Sequence, residues 1–223
     1  MKRNVTMEEI SDGKLYEIND LVKADCNDCM GCSSCCQGMG KSIILDPYDV
    51  FILSNELEMT FEELLSNYME LNVVDGIILP NLKMNETTDR CSFLNNKGRC
   101  SIHEFRPGMC RLFPLGRYYE NNEFKYFLQV NECKNKNRSK IKVKKWLDMP
   151  EVVNHEKFVN EWHYFLLEIE KKLDSLTIKE SKEINMNILN TFFIKSFNVN
   201  FYETFYNRIK DFNNKKVSAL ADT

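Results

Sequence analysis

Glycine and proline are scarce in this chain. Eight glycines and five prolines serve 223 residues, and no glycine follows Gly116. A second half so poor in turn residues excludes a sandwich or barrel of many tight hairpins there and points to helices. Cysteine is absent after Cys133. No stretch reaches the roughly 18 consecutive apolar residues of a spanning helix. The first residues, "MKRNVTMEEISDGKLYE", lack the apolar run of a secretory leader. Neither sign of charge dominates. Thirty Lys and Arg against 33 Asp and Glu leave a formal net charge of -3, which gives no overall pull toward nucleic acid or anionic lipid. The chain also lacks internal repeats and low-complexity linkers. These absences predict a cytoplasmic protein without a membrane or nucleic-acid partner.

Cysteine is what the sequence does have. Nine are present, and five fall within eleven positions of "ADCNDCMGCSSCCQGMG", at Cys26, Cys29, Cys32, Cys35 and Cys36. A reducing cytosol keeps thiols unpaired unless a metal or a reaction claims them. The odd count and the adjacent pair Cys35 and Cys36 also argue against a disulfide framework. Metal ligation is the better reading. Cys26, Cys29, Cys32 and Cys36 stand at the C-x2-C-x2-C-x3-C spacing of bacterial iron-sulfur sites, with Gln37 where a proline is usual. Four more thiols follow at Cys91, Cys100, Cys110 and Cys133, so the total suits two four-ligand sites or one cluster with spare thiolates. Thiolate sites carry excess negative charge that nearby cations offset. Arg90, Lys97, Arg99, Arg106 and Arg111 flank the later cysteines. His103, three residues after Cys100, is a candidate ligand, whereas His155 and His163 fall on later helices and read as structural.

The coarse elements follow from caps and periodicity. Ile43 to Leu45 read as a short strand, Asp46 as a helix cap with Pro47 at the first position, and Thr60 with Glu63 as a capping box. Phe61, Leu64, Leu65, Tyr68 and Leu71 then recur at helical spacing. Asp75 and Gly76 predict a hairpin turn in "NVVDGIILPNLKM", and "NNKG" predicts a turn between two cysteine-bearing arms. "GMGKS" at 38–42 lacks full phosphate-loop spacing and reads as a turn into a strand. In "KNKNRSKIKVKK" seven cations occur without an acid. The pattern there predicts a solvated loop and a strand with Ile141 and Val143 facing inward. Phe158, Trp162, Phe165, Leu166, Ile169 and Leu173 make one apolar helical stripe. Further stripes run through Ile184, Ile188, Leu189, Phe192 and Phe193, and through 201–212.

The fold predicted is α+β: a cysteine-rich metal-binding core with short strands and helices over residues 20–148, then a helical C-terminal region over 151–220. "CMGCSSCC" followed by "CSFLNNKGRCSIHEFRPGMCRLFP" resembles the CxxCxxCC cysteine-cluster family of zinc- or iron-chelating domains across roughly residues 26 to 135. Residue by residue, the resemblance marks Cys29, Cys32, Cys35, Cys36, Cys91, Cys100 and Cys110, with Arg106, Pro107, Arg111 and Pro114. It leaves Cys26 as an auxiliary thiol and places Cys133 at a later family cysteine. Relatives similar to the flagellin lysine N-methylase imply methyl transfer from S-adenosylmethionine to a protein lysine beside a 4Fe-4S cluster. Arg106 and Arg111, with Tyr118, would then bind the cofactor or position substrate. The alternative is a noncatalytic zinc protein that offers its C-terminal helices to a protein partner. Thiolate spacing suits zinc and iron-sulfur alike, and the knot's register favours iron-sulfur.

Overall fold

The computed structural model describes residues 6–27, 32–197 and 200–221. Cys29 lies outside the described residues. Within them the fold is α+β, with eight helices and three separate two-stranded antiparallel sheets. Helix α1 (Met7–Ile10) and strand β1 (Leu21–Asp25) precede the cysteine knot, and β1 pairs with the distant strand β6 (Ser139–Lys142).

The caps act where the sequence places them. Asp46 accepts the Asp49 N–H at 2.9 Å and starts α2 (Pro47–Leu57), and Thr60 accepts the Glu63 N–H at 3.2 Å to start α3 (Phe61–Asn67). Helix α3 ends earlier than the apolar stripe suggests. Leu71 belongs to strand β2 (Met69–Val74), which turns through Asp75 and Gly76, at φ of 50° and 81°, into β3 (Ile77–Leu82). Two left-handed residues match the twist of a two-residue hairpin. The strand expected at Ile43 to Leu45 is reduced to a single bridge from Ile44 to Asn81.

After helix α4 (Gly108–Leu112), strands β4 (Leu115–Glu120) and β5 (Glu123–Leu128) form a second hairpin, with Asn121 and Asn122 at φ of 53° and 62°. Tyr16 exchanges both backbone hydrogen bonds with Tyr126 and so extends this sheet. Strand β6 stops at Lys142. Val143, expected within it, is fully buried at the start of helix α5 (Val143–Leu147), and all six lysines between 134 and 145 are exposed.

The C-terminal region comprises α6 (Val152–Leu173), α7 (Ile178–Leu189) and α8 (Phe201–Ala221). A wide π turn over Asn190–Ile194, closed by the Lys195 N–H on the Asn190 carbonyl, puts both Phe192 and Phe193 into the core. The larger of two cores joins α2, α3 and the β2–β3 hairpin to Phe158, Trp162, Phe165, Phe192 and Phe205. The smaller gathers β1, β4, β5 and α5 around Leu112, Tyr126 and Trp146. No helix among the described residues is long and apolar enough to cross a membrane.

Candidate metal centre

Short irregular ladders bring the distant cysteines to the knot. The Cys91 N–H donates to the Cys36 carbonyl at 2.9 Å and the Gly38 N–H to the Asp89 carbonyl at 2.9 Å, so the end of the knot is zipped to the second arm. Bridges from Met84 to Cys91 and from Leu94 to Cys100 continue the pairing around the Asn95–Gly98 turn. Cys110 arrives on α4, whose first residue is tied down from afar. The Gly108 N–H donates to buried Asp49 Oδ1 at 2.7 Å. Burial, together with the neighbouring Asp46, raises the Asp49 carboxyl well above the ordinary range.

The result is a half-open cavity of about 600 Å³ with Cys32, Cys35, Cys36, Cys91, Cys100 and Cys110 on its lining. All six are half-buried and free of disulfides. Cys35 and Cys36 are hydrogen-bonded to each other through their side chains. That bond, with Arg106 nearby, lowers the Cys35 thiol to about 7, while Cys36 is pushed up. Burial also raises Cys91, Cys100 and Cys110, each within electrostatic reach of other thiols of this group. Cys26 and Cys133 do not line the cavity. Cys26 is buried at the end of β1, and Cys133 has Cys26, Cys32 and Arg138 as its charged neighbours.

The two arginines expected at the cofactor take different places. Arg106 lines the cavity and is an electrostatic neighbour of Cys35 and Cys100, and its guanidinium donates to the His103 carbonyl at 3.0 Å. Arg111 is absent from the lining. Its buried guanidinium donates to the backbone carbonyls of Glu104, Arg106, Leu147 and Asp148, which makes it a clamp between the α4 segment and the end of α5. His103 lines the cavity with its ring against Arg106, 2.7 Å from Nε2 to the guanidinium. Tyr118 is on the lining too and is partly exposed.

The sequence reading missed β4 and β5, and with them Arg117 and Tyr119, which line the same cavity. The Asn-Asn turn was the available signal.

A family model described as a "Putative zinc- or iron-chelating domain", the CxxCxxCC type, matches residues 28–139, half of the chain. The chain belongs to the CxxCxxCC family. No curated protein and no solved structure matches it.

The donor chemistry fits the metals that this CxxCxxCC domain is described as chelating, since sulfur donors suit zinc and iron-sulfur clusters. Their positions are less closed. Among the described residues no three His, Cys, Asp or Glu side chains converge tightly enough to hold an ion as they stand. The domain thus gathers thiols around a shared space, and ligation would draw them inward.

Proposed function

We propose that the cavity-facing thiols hold an iron-sulfur cluster and that the cavity admits a substrate beside it. The observation that supports this reading is the placement of six cysteines, among the described residues, on the lining of one ligand-sized space. A structural zinc site needs four ligands and is closed by them; it calls for neither surplus thiols nor a cavity. Pockets of roughly 300 to 1,000 Å³ are the usual size for small-molecule ligands. A cluster bound there would supply electron transfer or Lewis acidity, and the chain would supply position, charge and exclusion of water. Arg106 offsets thiolate charge from within the cavity. Asp49 fixes the helix that carries Cys110. Free thiols in such number suit a reducing compartment, and we place the protein in the cytoplasm.

The finer reading is methyl transfer from S-adenosylmethionine to a protein lysine, supported by the resemblance to the flagellin lysine N-methylase and by a cavity large enough for a small cofactor. The second reading is a zinc-knit scaffold for a protein partner. Its support is the shortness of the strands in the thiol-bearing half, where a metal would add folding free energy.

An ultraviolet-visible spectrum with iron, sulfide and zinc analysis, on protein purified without oxygen, separates these readings. A broad band near ~400 nm with acid-labile sulfide is the expected result, and titration with S-adenosylmethionine then tests the finer reading. A colourless protein with stoichiometric zinc overturns the iron-sulfur assignment in favour of the scaffold.

A further inference from the structure

The cavity has a second sector that the thiols do not use. Arg99 and Arg106 act electrostatically on cavity thiols, both of them at Cys100 and Arg106 also at Cys35. Arg117, on β4, lines the same cavity, and the carboxyls it acts on electrostatically are those of Asp46, Asp49 and Glu156. Its surroundings are aromatic. The guanidinium lies 5.6 Å from the centre of the Phe124 ring, and Tyr119 beside it stacks on His163 with ring centres 3.6 Å apart. The Arg117 side chain is hydrogen-bonded to Tyr119, but its Nε is buried without a hydrogen-bond partner among the described residues. A buried donor left unmade is costly, and here it belongs to a cation facing a cavity.

Charge and polarity of the lining narrow the ligand. Among the described residues, three arginines line the cavity with one carboxylate, Glu132, and the rest is chiefly apolar, including Phe127 and Trp146. The end of the Phe127 ring lies over its cross-strand partner Gly116, where a Cβ would come within 2.3 Å of it. That packing gives the sector an aromatic wall.

We propose that this sector binds a small organic anion with an apolar body, the anionic end held by Arg117 and the body lying along Phe127 and Trp146. The inference rests on reading the cavity as a substrate pocket and is independent of which metal the thiols hold.

Offsetting the carboxyls of Asp46, Asp49 and Glu156 is the competing role for Arg117. The test uses the full chain in its metal-loaded form with 8-anilinonaphthalene-1-sulfonate as probe, followed by fluorescence, with iron and zinc measured on every sample. One-site binding is expected, displaced by octanoate and not by octylammonium. Arg117→Met should weaken the probe about tenfold or more, as loss of a charge-assisted hydrogen bond does, and Arg117→Lys should restore part of the affinity. Equal displacement by octylammonium, or unchanged affinity in a folded Arg117→Met protein of lower stability, overturns the proposal and leaves Arg117 as a counter-charge. The displacement experiment needs no variant, so it decides even where Arg117→Met fails to fold. Arg117-dependent binding in a chain that, purified without oxygen, carries neither iron nor acid-labile sulfide would sink the iron-sulfur reading and keep this one.

Discussion

The carboxylate of Asp49 accepts the Gly108 N–H through Oδ1 at 2.7 Å and the Asp46 N–H through Oδ2 at 3.1 Å. One side chain thus closes the cap of α2 and anchors α4 behind Cys110. Asp49→Ala leaves a buried amide unpaired and opens the cap, and it should cost about 2 to 4 kcal/mol in urea unfolding. Asp49→Asn, which keeps an acceptor oxygen, should lose clearly less; equal losses would show that the acceptor is not what matters. His155 poses a different residue-scale problem. It is buried against Tyr48 and Phe158 with neither ring nitrogen hydrogen-bonded among the described residues, and burial, aided by Arg117 and Arg111, lowers it from 6.5 to about 3. Between those values the unfolded chain binds a proton that the folded ring refuses, so this residue's contribution to stability falls as pH drops from 6.5 toward 3. Asp46, raised from 3.8 to about 6 by burial, works in the opposite sense. The difference between wild type and His155→Phe isolates the histidine. The variant should gain relative stability steadily as pH falls through that window, by a few kcal/mol at the acid end, and a constant difference would contradict this.

At the scale of elements, the hairpin β4–β5 depends on the missing side chain at Gly116. Gly116→Ala forces the Phe127 ring off the strand and should cost about 1 to 3 kcal/mol, as overpacking does, which thermal unfolding measures directly. The knot and its partner arms make the other prediction. Cys91→Ser or Cys110→Ser should lower bound metal and soluble yield, and Cys26→Ser, away from the cavity, should do less; equal loss at all three would overturn that ranking. These elements differ in how openly the sequence declares them. Helices α2 and α3 announce themselves through Asp46, Thr60 and Glu63, and β2–β3 through Asp75 and Gly76, because caps and turns are local chemistry. The thiols are legible by type and spacing, since little else explains so many free cysteines together. Strands β4 and β5 are not, because Asn121 and Asn122 are a weaker turn signal and their flanks mix charged with aromatic residues. The Arg117 sector stayed hidden with them. Arg111 misled for another reason: its partners Leu147 and Asp148 lie 36 and 37 residues further along the chain, a distance that spacing alone does not bridge.

Over the whole molecule, two apolar cores flank the thiol-lined cavity, and the larger is completed by helices from the C-terminal region. Phe158, Phe192 and Phe205 pack with Leu53, Leu64 and Leu82 in one cluster. The thiol-bearing half is therefore held from outside by ordinary packing, which leaves its irregular arms free to serve ligation more than stability. The central claim is that the metal of this chain is held by sulfur, at the cavity. X-ray absorption at the metal edge on anaerobically purified protein tests it most directly. The account predicts a first shell of about four sulfurs at ~2.3 Å, depleted in Cys91→Ser and Cys110→Ser and retained in Cys26→Ser. A first shell of nitrogen and oxygen, or a sulfur shell unchanged in the two cavity variants, would contradict it.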